Sequence, residues 1–170
     1  MFGSKSCIVL IALIVTAGCA TTSGQRTLLP PAGTQIEVTQ ELSIGGGARL
    51  FMQRGQVRSQ RDISVMDPHC QFISTRPRSE FGEALVIRPG IFTVENSFRR
   101  RDYTWAAELE FAQIGSSRNL SSIMELSSDT QQDIDRLTCL RWGTGGGDGF
   151  LTIEEMQTAM GELVTINMPE

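Results

Sequence analysis

Residues 35–52, QIEVTQELSIGGGARLFM, decide the architecture. Ile36, Val38, Leu42 and Ile44 fall on one side of an extended chain, and Glu37, Thr39, Glu41 and Ser43 fall on the other. Successive side chains of a strand point to opposite faces, so this alternation reads as a half-buried strand. Gly45-Gly46-Gly47 supplies a turn, after which Ala48, Leu50 and Met52 resume the alternation. The two segments are expected to pair as a hairpin.

The same pattern recurs downstream. Asp67-Pro68 marks a turn, and Cys70–Ile73 follows it as a short strand. Residues 83–88 and 91–98 flank Pro89-Gly90, a pair suited to a type II turn, which predicts a second hairpin. Trp105, Ala107, Leu109 and Phe111 alternate with Glu108 and Glu110, as in a strand with one buried face. Residues 119–126 fit a strand, and 134–142 fit either a strand or a helix. At the end of the chain the period changes. Ile153, Met156, Met160, Leu163 and Val164 share a helical face, and Thr152 with Glu155 has capping-box spacing, so a helix is expected over about 152–165. The fold class expected is mainly β: an antiparallel sandwich or barrel-like body of roughly seven to nine short strands with one C-terminal α-helix.

The N-terminus is of another kind. Lys5 precedes an unbroken apolar run from Cys7 to Val15, and Thr16-Ala17-Gly18-Cys19 closes it with small residues and a cysteine. The run is shorter than the ~18–20 residues needed to span a bilayer as a helix. It fits the apolar region of a secretory signal. This stretch resembles the signal peptide and lipobox of bacterial lipoproteins, with Thr16 where leucine is commoner. The resemblance implies removal of residues 1–18, acylation of Cys19, and mooring of the mature chain to a membrane through that lipid. Ala20 lacks the aspartate that favours inner-membrane retention in enteric bacteria, so the resemblance implies the outer membrane; separately from it, the body is expected on the periplasmic face. Residues 19–33, rich in Thr, Ser, Gly and Pro, read as a tether, and 34–170 as a single domain.

Cys70 and Cys139 are the cysteines left in that domain. In an exported protein such a pair favours a disulfide over two free thiols. A zinc site is poorly supplied, because His69 is the one histidine in the chain.

Charge is unevenly placed along the sequence. Residues 49–101 carry ten arginines against five acids, and residues 102–170 carry three against twelve. The densest basic run, Arg99-Arg100-Arg101, lies close to Tyr103 and Trp105 and is a candidate for contact with an anion.

Catalytic motifs are weak. Thr144–Glu155 matches a calcium loop at Gly149, Leu151 and Glu155 but places Thr144 and Gly146 where ligand oxygens belong, so a capped helix start is the better reading. Gly143–Gly149 lacks the Gly-Lys-Ser/Thr of a phosphate loop. His69 and Cys70 are strand neighbours and point to opposite faces, which argues against a nucleophilic pair. Glu108 and Glu110 read as surface charges. The sequence therefore predicts no enzyme, cofactor or nucleic-acid partner. It predicts a lipid-anchored envelope protein with a structural or partner-binding role, which could contact another envelope protein. The alternative is a periplasmic ligand- or ion-binding lipoprotein using Arg99–Arg101 or the 144–155 loop.

Overall fold

The alternation that opens the domain is realised, but three strands share it. A computed structural model describes residues 29–103, 117–144 and 149–169. Strand β1 (Gln35–Val38) buries Ile36 and Val38, β2 (Leu42–Ile44) buries Leu42, and β3 (Arg49–Gln53) buries Leu50 and Met52. They are followed by β4 (Gln56–Arg58), β5 (His69–Ser74), β6 (Leu85–Ile87), β7 (Gly90–Tyr103), β8 (Ser117–Ser127) and β9 (Ile134–Thr144). Helix α1 (Ile153–Met160) and a last strand, β10 (Val164–Asn167), complete the order. The protein is mainly β with a C-terminal helix, and the ten described strands exceed the number expected from sequence.

Eight strands form one curled antiparallel sheet in the order β10-β1-β7-β8-β9-β5-β3-β4. The remaining two, β2 and β6, pair with each other. Leu42, Leu85 and Ile87 of this ribbon enter the same core as Leu50, Phe72, Phe92, Met124, Leu137 and Val164 of the large sheet. Met156, Ala159 and Met160 of α1 pack into that core as well. The helix touches β3, β5 and β10, so it spans the gap between the two edges of the sheet.

Neither expected hairpin forms. The segment 36–44 breaks at Thr39, whose N–H donates to the Leu163 carbonyl (3.1 Å) and whose Oγ1 donates to the Glu162 carbonyl (2.6 Å). Those bonds turn the chain out of the large sheet, and β2 pairs with β6 instead of β3. The Gly45–Gly47 loop does not fold back either. Gly46 and Gly47 have φ of 69° and 90°, and the Gly47 N–H donates to the Phe81 carbonyl at 2.7 Å. At Pro89-Gly90 the strands on either side belong to different sheets. The buried Gln131 amide takes the place of a strand there: Arg88 N–H donates to its Oε1 (2.8 Å), and its Nε2 donates to the Arg88 carbonyl (3.0 Å).

The segments 119–126 and 134–142 are both strands, at the centre of the sheet. The expected strand at Trp105–Phe111 lies outside the described residues. The expected helix over 152–165 is corrected to 153–160. Its start matches the capping box: Glu155 N–H donates to Thr152 Oγ1 (3.1 Å) and Thr152 N–H donates to Glu155 Oε2 (2.9 Å). It ends at Gly161, with φ 63° and ψ −140°, a region that essentially only glycine occupies. Leu163 and Val164 are buried as expected, but from a turn and a strand. The Gln157 amide holds that turn, donating to the carbonyls of Gly161 (2.8 Å) and Val164 (2.7 Å).

A bulge in β7 changes which residues face inward. The register with β8 slips between Val94 and Asn96. Before it, Phe92 and Val94 are in the core; after it, Ser97, Arg99 and Arg101 lie opposite Met124, Ser122 and Leu120 on the inner face. An extra residue in one strand inverts the alternation of everything beyond it. Phe98 consequently points outward and is 38% exposed.

Candidate ligand-binding site

The bulge splits the basic run that the sequence marked. Arg99 and Arg101 place their guanidiniums over the Phe150 ring, 4.8 and 5.2 Å from its centroid. Each such contact contributes roughly 0.5–1 kcal/mol where water has access. Phe150 is 5% exposed, so the two arginines cover it. Arg100 turns to the other face and chelates Asp102, with Nε 3.0 and 2.8 Å from the two carboxylate oxygens. The structure thus does not bring the three together as one anion contact.

The other marked residues are committed as well. Cys70 and Cys139 face each other across β5 and β9 and form a disulfide with a Cα–Cα distance of 4.0 Å. Within the 144–155 loop, residues 145–148 lie outside the described residues. Glu155, where that loop matches the calcium-binding pattern, is occupied: one oxygen caps the helix and the other pairs with Arg141. Among the described residues no group of three His, Cys, Asp or Glu side chains is placed to hold a metal ion.

His69 is buried on the outer face of β5, beside Phe51 with ring centroids 6.5 Å apart. Burial lowers its pKa below the ordinary 6.5, and the contact between Nδ1 and the Asp67 carbonyl (3.2 Å) opposes this in part. A histidine whose pKa is depressed in the fold takes up its proton first in the unfolded chain. Stability is therefore expected to fall as the pH drops below the ordinary histidine value of 6.5, a window that opens above the range where carboxylates titrate. In His69→Gln that part of the slope should vanish in urea melts recorded across the window. An unchanged slope would show that His69 does not carry it.

A further cavity is one the sequence did not mark. It has a volume of about 610 Å³ and is walled by the Gly45–Gly47 loop, Arg49, Phe51, Arg61 and Phe81. The loop is fixed from beneath by Arg76, whose guanidinium donates to the carbonyls of Gly47, Glu83 (2.9 Å) and Ala84 (3.1 Å). A side chain at Gly46 would be strained, because its Cβ would stand 3.1 Å from the Phe81 carbonyl oxygen at φ 69°. Ser59 and Gln60 complete the rim, with Ser59 Oγ donating to Asp62 (2.7 Å).

Charge sets this cavity apart. Its lining has two arginines and no carboxylate, and among the described residues neither the Arg49 nor the Arg61 guanidinium has an ion-pair or hydrogen-bond partner. Arg58, paired in register with Phe51, adds a third cation on the same face of the sheet. A smaller cavity of about 250 Å³ beside α1 is self-neutralised, since its Arg54 and Asp67 pair at 2.7 Å. The lining sets cations beside aromatic walls, which offers a ligand both charge and apolar contact. The signal for it in the sequence was the arginine excess of residues 49–101, but no local motif joins positions 44–51, 59–61 and 81. Compared with protein-family models, curated proteins and solved structures, the chain matches none.

Proposed function

We propose that this is a lipid-anchored protein of a bacterial cell envelope that acts by binding and not by catalysis. The observation that carries the reading is the Thr16-Ala17-Gly18-Cys19 box behind the apolar run Cys7–Val15. The buried Cys70–Cys139 disulfide supports it, because such bonds persist in oxidising compartments outside the cytosol. The entry of the chain into the body also fits a tether. The Pro30 carbonyl accepts from Ser97 Oγ (2.7 Å) and the Gly33 N–H donates to the Val94 carbonyl (2.8 Å). Between Cys19 and that anchor, residues 20–29 reach at most about 35 Å, so the body would stay close to the bilayer. Two or more acyl chains hold a protein stably at a membrane where one does not.

The runner-up, ion or anion binding through Arg99–Arg101 or the 144–155 loop, is less favoured, since Arg99, Arg101 and Glu155 already have partners within the fold.

Intact mass spectrometry of the protein from membranes of its native host tests the proposal. The expected species lacks residues 1–18, carries acyl chains on Cys19, and gains two hydrogens on reduction. An unprocessed chain with a free Cys19 thiol would overturn it.

A further inference from the structure

We propose that the cavity at the Gly45–Gly47 loop binds a phosphate ester. In this arrangement Arg49 and Arg61 hold the phosphate, and Phe51 and Phe81 cover the group that carries it. The inference is independent of whether Cys19 is acylated.

The ligand class follows from the lining. Arg49 and Arg61 reach the same cavity from separate segments, and neither is neutralised by another described residue. A guanidinium offers a planar fork of N–H donors that matches phosphate oxygens in pairs. Two such forks suit a group with two negative charges and three free oxygens better than a carboxylate, which one fork satisfies. The walls supply the second half of the specificity. Phe51, 7% exposed, and Phe81 present apolar surface beside the cations, so an inorganic ion would leave part of the cavity unfilled. The loop opposite them is side-chain-free: a Cβ on Gly45 or Gly47 would meet nothing within 4 Å, which leaves open space there for the ligand body. The loop is also held before any ligand arrives, because Arg76 and Phe81 fix Gly47 by hydrogen bonds to its carbonyl and N–H. Binding then costs little ordering of backbone.

Two sources share this chemistry: the headgroup of an anionic phospholipid and a soluble phosphate ester. Titration calorimetry of the purified full chain in non-ionic detergent, in a buffer free of phosphate, tests the site with two probes. Phenyl phosphate stands for a soluble ester, and glycerophosphoglycerol for a lipid headgroup. Saturable binding of at least one probe is expected, with roughly tenfold loss in Arg49→Gln and again in Arg61→Gln. Inorganic phosphate should compete, phenol should bind far more weakly, and Arg88→Gln should bind as the parent does. Whichever probe binds more tightly names the source, and either result supports the site. Absence of saturable binding by both probes would overturn the proposal. So would binding that both arginine variants retain, provided their thermal melts match that of the parent.

Discussion

Removing the Cys70–Cys139 cross-link, as the double variant Cys70→Ala/Cys139→Ala, is expected to cost the fold about 4 kcal/mol. The bond closes a loop of 69 residues, and the chain-entropy model assigns that value to the freedom denied to the unfolded chain. Domains of this kind are stable by only ~5–15 kcal/mol, so the variant would lose a large share of the total. The melting temperature should fall by roughly 10 °C, given ~2–4 °C per kcal/mol at this size. Position adds to the effect. Both residues are fully buried, and they join β5 to β9 at the middle of the sheet, directly opposite in register. Reductant should therefore leave the folded protein oxidised for long periods and act quickly only in denaturant. Urea unfolding of the parent and the double variant checks the first statement, and a change below 1 kcal/mol would show that the cross-link constrains little.

The second large effect lies where the helix meets the sheet edge. Gly161→Ala is expected to cost about 3 kcal/mol, from overpacking (roughly 1–3 kcal/mol) together with backbone strain at positive φ (roughly 1–2 kcal/mol). A Cβ at Gly161 would stand 2.5 Å from the Cα of Gly55, and that neighbour is backbone that no rotamer change can move aside. Relief would require separating the β3–β4 turn from the end of α1. The Gly55 N–H to Ala159 carbonyl bond, 3.0 Å, would be lost with it. Gly55→Ala should be milder, because its Cβ would come no nearer than 3.4 Å to Gly161 and only the strain at φ 69° remains. Equal or reversed costs for the two variants, measured in the same denaturant titration, would show that this contact does not seat the helix.

Both sites show how unevenly the fold could be read in advance. The capping box Thr152/Glu155 is a local device, complete within four residues, and it forms where the sequence placed it. The end of the helix is not legible in the sequence, because Leu163 and Val164 continue the apolar spacing, while Gly161 and the pairing of β10 with β1 end it. Pairing depends on residues more than a hundred positions away, to which periodicity is blind.

The arginines carry the same lesson toward function. Arg99, Arg100 and Arg101 are adjacent in sequence and read as one patch, but the unpaired residue in β7 sends Arg99 and Arg101 to one face and Arg100 to the other. Arg49 and Arg61 look unremarkable in sequence, and they meet at one cavity because β3 and the turn after β4 fold beside the glycine loop.

By itself, the sequence determined the character of the chain: strands that bury every second residue, a capped helix near the end, and two cysteines left to pair in the body. Each of these rests on interactions within a few residues or on a simple count. Tertiary structure alone decided which strand lies beside which, where the alternation inverts, and which cations share a cavity. The physical reason is that an alternating pattern states which side of a strand is dry and carries no information about the neighbour across the hydrogen bonds. That choice is made by contacts between distant segments, such as Thr39 with Glu162 and Gln131 with Arg88.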